Sequence, residues 1–160
     1  MRRRDVLAGA GLLSLAALTP GLRSAGGARL AAGAQLPGAP APPDVRAAIE
    51  STMRKAIARL EARDLSGVLV HVSEQYRTED VTKAMLREQL GALFSVYDVV
   101  RVELQVDEVR TAGDTAWILT TGLLSGRLPV IGAWVPAFAW ERQPEVARRE
   151  NASWRLYGLQ

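Results

Sequence analysis

Near Ser95 the spacing of apolar residues along the chain switches from three-and-four to two, and it stays at two to the carboxyl end. A chain that is helical first and then alternating has few ways to bury both patterns, because an apolar helix stripe must be laid against the apolar face of a sheet. Before the switch, Val45, Ile49, Met53, Ile57 and Leu60 form one stripe behind Asp44, which follows two prolines and is predicted to cap the helix. Asp64 is placed to cap a shorter helix through Leu65, Val68, Leu69 and Val72, ending near Ser73. Thr82 opens a third helix, whose apolar face is Leu86, Leu90, Leu93 and Tyr97, with Met85 and Phe94 flanking and Lys83, Arg87 and Glu88 opposite.

After the switch, Val100, Val102, Leu104 and Val106 alternate with Arg101, Glu103, Gln105 and Asp107, the pattern of a strand with one wet face. Ala112-Gly113-Asp114 supplies turn chemistry, so Thr115 to Leu124 is predicted to return as the second arm of a hairpin. Val130 to Arg142 reads as a third strand in which Pro136 implies an edge or a bulge. Gln143 to Ala152 reads as a long polar turn, and Ser153 to Leu159 as a fourth strand. The expected class is α+β, with three amino-terminal helices packed on a curved antiparallel sheet of four strands.

The first residues have a different purpose. Arg2, Arg3 and Arg4 precede an apolar stretch from Val6 to Thr19 that is too short to cross a hydrocarbon core of about 30 Å. Arg3-Arg4-Asp5-Val6-Leu7 resembles the twin-arginine export motif, and Ala32-Gly33-Ala34 offers small residues to a signal peptidase. Residues 1–34 are therefore read as a twin-arginine-type signal peptide, 35–43 as a proline-rich linker and 44–160 as one domain, exported to the periplasm or the extracellular space. Cleavage would take Lys+Arg from 20 to 15 and Asp+Glu from 17 to 16, turning a net charge of +3 into −1. That balance argues against a nucleic-acid partner, and contact with a membrane is expected only transiently, through the signal. The chain has no Cys and a single His, which excludes disulfides, thiolate metal sites and cysteine nucleophiles and leaves little for a zinc centre. No metal and no cofactor are expected.

The stretch ARLEARDLSGVLVHVSEQY, a helix of the form TKAMLREQLGALF, the strands VRVELQVDEVRTAGDTAWILTTG and a closing SWRLYGL together resemble the nuclear transport factor 2-like superfamily over about residues 45–160. The resemblance implies a cone, with a bent sheet around the long first helix and a pocket at the open end. Ketosteroid isomerases, dehydratases, polyketide cyclases and purely binding or associating domains share that fold, so the fold does not choose among them. Laid on the isomerase pattern, the general-base carboxylate falls on Asp80, the tyrosine that donates to the oxyanion falls on Ala56, and the protonated acid should lie near Ala137 to Ala139, where no carboxylate stands. His71, paired with a carboxylate, would be a dehydratase-like base. Asp80 and His71 are thus the candidate catalytic residues of an alternative reading, a small cofactor-free isomerase or dehydratase.

Aromatic residues carry the main reading. Trp134, Phe138 and Trp140 share one parity on the third strand and so are expected on one face, opposite small residues such as Ala133, Ala137 and Ala139. Facing the cone, these rings together with Tyr76 and Trp117 would bind a small apolar molecule; facing outward, they would make a surface for a homodimer through the sheet. The function expected is that of an exported, non-catalytic domain that binds a small ligand or associates with a partner.

Overall fold

The computed structural model describes residues 35–159, so the leader expected over residues 1–34 lies outside the described residues. The helical half comprises α1 (Pro43–Glu61), α2 (Leu65–Leu69) and α3 (Lys83–Val96). Pro42, not Asp44, occupies the cap position of α1; Asp44 instead lies in the first turn, where a carboxylate suits the positive end of the helix dipole. Asp64 caps α2 by accepting from the Gly67 N–H at 2.9 Å, and Thr82 caps α3 by accepting from the Met85 N–H at 3.4 Å. α2 stops at Leu69, and the chain continues through turns to Val72, which bridges in parallel to Leu156.

The strands are β1 (Ala39–Pro40), β2 (Arg77–Thr78), β3 (Val81–Thr82), β4 (Val99–Ala112), β5 (Thr115–Arg127), β6 (Trp134–Glu150) and β7 (Ser153–Leu156). β2 and β3 form a small separate hairpin; the main sheet is antiparallel in the order β1-β4-β5-β6-β7, five strands where four were expected. The extra strand comes from the proline-rich stretch expected as a tether: Ala39–Pro40 pairs with Thr111 and Arg110, and Leu36 is buried. A proline can serve there because an edge position asks little of its missing N–H. Further along the same edge of β4, the Ala41 N–H donates to the Val109 carbonyl, Arg46 Nη2 donates to the Val106 carbonyl, and Glu61 Oε1 accepts from the Val102 N–H. The edge is thereby closed to further pairing.

A second difference lies in β6, where the polar residues expected as a long turn continue the strand as far as Glu150. The turn itself is Asn151–Ala152, both at positive φ (50° and 64°). Polarity misled because much of this part of β6 is exposed on one side while its backbone pairs with β5 up to Arg148 and with β7 from Ala147 to Glu150.

Three irregularities bend the sheet. Asp107 is an extra residue on β4, Glu141 and Arg142 together oppose Thr121, and Ala137 is an extra residue beside Pro136. The bulge implied by Pro136 is present. The Thr121 hydroxyl joins the first two across the sheet, donating to Asp107 Oδ2 at 2.6 Å and accepting from the Arg142 N–H at 3.1 Å. A line of bulges across neighbouring strands is a crease, and the sheet coils about it. On one side of the crease Ile49 and Met53 of α1 pack on Val109, Ile118, Ala147 and Trp154; on the other, Leu86, Leu90 and Leu93 of α3 pack with Leu60, Val100, Leu124 and Trp140. Each fully buried leucine contributes about 1.5–3 kcal/mol.

Candidate functional site

β5 runs through the middle of the sheet, so its two faces divide the candidate site residues. Its inward row is Ala116, Ile118, Thr120, Gly122, Leu124 and Gly126. Gly122 leaves room for the Trp140 indole: a Cβ there would stand 2.3 Å from the ring and 2.5 Å from the Glu103 carbonyl oxygen. The indole N–H donates to Thr120 Oγ1 at 3.0 Å inside the protein, and Phe138 stacks on the same ring with centroids 5.6 Å apart. Tyr76 is 2% exposed and belongs to the same cluster as Trp140 and Leu90. The structure therefore brings Tyr76, Phe138 and Trp140 together.

Trp117 and Trp134 stand apart from them. Trp117 lies on the outward row of β5, opposite Arg110 and Val146. Trp134 pairs with Arg127 on that same outer side, is 41% exposed, and carries the Arg101 guanidinium 4.5 Å above its ring. The expectation that Trp134, Phe138 and Trp140 share a face is thus corrected by the extra residue Ala137, which reverses the alternation between Pro136 and Phe138.

The proton-handling candidates do not meet inside the cone. Asp80 is exposed in the β2–β3 turn beside Glu79, whose φ is 54°. His71 is partly buried after α2, where its carbonyl accepts from the Leu156 N–H at 2.9 Å. Burial first, and then the charges of Lys55, Arg59 and Arg155, hold its pKa below 6.5. A histidine among cations is the reverse of one activated by a carboxylate. Ala56 is buried on α1 with nothing to donate. Among the described residues, no group of three His, Asp or Glu side chains is arranged to hold a metal ion.

One carboxyl does lie inward. Glu145, opposite Ile118 on β6, is 4% exposed, and with Ser73 and Thr120 it makes up the buried polar residues among those described. Its place in a presumed turn hid it. The sequence offered no clear signal: residues 143–148 have no steady polar–apolar alternation, and Glu145, Val146 and Ala147 are all buried.

The outward face has another character. Trp117, Leu119 and Leu123 lie on the outward row of central β5, with Thr121 between the two leucines, and are partly exposed beside Pro136, Ala139 and Pro144 of β6. Charges of both signs border this strip on β4, where Arg110, Glu108, Glu103 and Arg101 stand opposite Trp117, Leu119, Leu123 and Ser125. An apolar strip with a charged border is the anatomy of a protein interface.

No family model and no curated protein matches this sequence. Solved structures do match. A candidate aromatic ring hydroxylase from Novosphingobium aromaticivorans is 19% identical, with a TM-score of 0.62 over 74% of this chain and 87% of that one. A candidate dehydratase of the nuclear transport factor 2-like family from Streptomyces avermitilis is 14% identical, with a TM-score of 0.58 over 73% and 95%. A ketosteroid isomerase-like protein from Erwinia carotovora atroseptica is 20% identical, with a TM-score of 0.54 over 70% and 90%. Identities this low speak to architecture alone. A curved antiparallel sheet with helices gathered against it, shared with these structures, shows that the chain has the nuclear transport factor 2-like fold.

Proposed function

We propose that this protein is an exported, non-catalytic domain that works by association, pairing with a second copy of itself through the outer face of the sheet. The observation that carries the reading is the outward row of the central strand, in which Trp117, Leu119 and Leu123, with Thr121 between the two leucines, are partly exposed in the single chain. Water is excluded from such a strip when two sheets stack, and a border of mixed sign suits self-pairing, where a border of one sign would repel its copy. Association is favoured over capture of a small apolar molecule because Trp140, Tyr76 and Leu90 fill the space beneath β5. Sedimentation equilibrium of the protein at micromolar concentration is expected to give a dimer, and Leu123→Arg to give a folded monomer by circular dichroism. A wild-type monomer at about 100 μM, the Kd of an association worth roughly 5.5 kcal/mol, would overturn the reading.

A second reading, a proton-transferring isomerase or dehydratase, is favoured by the buried carboxyl of Glu145 rather than by Asp80 or His71. Functional polar groups are held at a cost in stability. On that reading Glu145→Gln raises the melting temperature; on the association reading it lowers it.

A further inference from the structure

Outside the cone, where α2, the start of α3 and β7 meet, lies an open groove of about 630 Å³ whose walls include Leu69, Val70, Glu74, Lys83, Arg87 and Arg155. Three of these side chains are cationic and one is anionic, in a domain whose own balance after the leader is slightly negative. The charges are unequally committed. Lys83 is tied down: its ammonium donates to the Val72 carbonyl at 2.9 Å and to Glu74 Oε1 at 2.5 Å. Arg155 reaches Glu150 only at 3.8 Å, beyond hydrogen-bond distance. Arg87 makes no hydrogen bond and no ion pair with another described residue, although it and Arg155 both act at longer range on the Glu74 carboxylate, which is held mainly by Lys83. Its planar fork matches a carboxylate. Beside these cations stands Val70, which is 62% exposed and gives the groove an apolar side.

We propose that this groove is a binding site for a small amphipathic carboxylate, with the oxyanion between Arg87 and Arg155 and the apolar body along Val70. The site is separate from the pairing face and does not depend on it. The volume lies in the range of small-molecule sites. Positive potential at this end of the molecule is felt by His71, next to Val70, whose protonation is opposed by burial and then by Lys55, Arg59 and Arg155. A bound carboxylate cancels part of that potential. The imidazole is the only one in the chain, so it reports on the site without competing signals.

The test is a titration of the full-length protein with hexanoate, hexanol and inorganic phosphate, followed by the His71 ring protons in nuclear magnetic resonance spectra. Hexanoate is expected to shift them saturably and to raise the midpoint of the histidine titration. Hexanol is expected to give no saturation, and phosphate to bind more weakly. Lengthening butanoate to hexanoate should tighten binding by up to about fourfold per methylene. Arg87→Ala, on the exposed side of α3, is expected to weaken hexanoate by about fivefold while circular dichroism stays unchanged. The proposal is overturned if hexanoate fails to saturate by about 10 mM, if Arg87→Ala binds as the wild type does, or if phosphate matches hexanoate, which would leave Val70 without a role.

Discussion

Replacing Trp140 by alanine asks whether the inside of the cone is core or pocket. A tryptophan truncated in a packed interior costs about 3–5 kcal/mol in lost burial and cavity. The Thr120 hydroxyl, 0% exposed, would also lose the donor it has at 3.0 Å, adding about 1 kcal/mol. The sum is about 5 kcal/mol, a large share of the roughly 5–15 kcal/mol that a domain of this size has in total. With an unfolding entropy of about 2.1 cal/mol/K per residue over the 125 described residues, that loss lowers the melting temperature by about 20 °C. Trp140→Phe keeps a ring over Gly122 and gives up the indole N–H, so it is expected to cost about 1–2 kcal/mol. Urea unfolding followed by circular dichroism measures both variants, since Trp117, Trp134 and Trp154 remain and would complicate fluorescence. A loss under about 1 kcal/mol for the alanine variant would refute the reasoning: the ring would then stand in a hollow, and ligand binding would return as the better reading of the fold.

Asp98 accepts two hydrogen bonds from Arg127, at 3.0 and 2.8 Å, and that pairing is the chief reason its pKa lies below 3.8. A carboxylate lowered by folding stabilises the native state above its unfolded value and loses that contribution as pH falls through the folded one. Below about pH 4 the wild type is therefore expected to lose stability more steeply than Asp98→Asn, measured as urea midpoint against pH. Gly158 has φ +82°, and a Cβ there would stand 2.1 Å from the Arg77 carbonyl oxygen. Gly158→Ala is expected to cost about 2 kcal/mol or more in the same unfolding assay, by straining the segment that crosses from β7 to β2.

Much of the helical half was legible because a helix organises its own contacts. The stripe through Ile49, Met53 and Leu60 is buried, Asp64 and Thr82 cap as their side chains permit, and Leu86, Leu90 and Leu93 share a buried face. These depend on residues three or four apart, so a short window of sequence contains the whole cause. The β4–β5 hairpin is equally local: Ala112 and Thr115 close it around Gly113, at φ 59°. The candidate site was legible only in part. Tyr76, Phe138 and Trp140 do meet, but Trp117 and Trp134 lie across the sheet from them, and Glu145 went unseen.

From the residues alone came the helices, the turn, the change of period and with it the α+β class, since each is a matter of near neighbours. Which side of the sheet a ring faces was decided by tertiary structure. The extra residues Asp107, Ala137 and the Glu141–Arg142 pair each reverse the alternation, and a bulge exists only relative to the strand beside it. The same holds for Leu36 and Ala39–Pro40, which join the fold because β4 offers a free edge far along the chain. Pairing register is a property of two strands, and no single segment carries it.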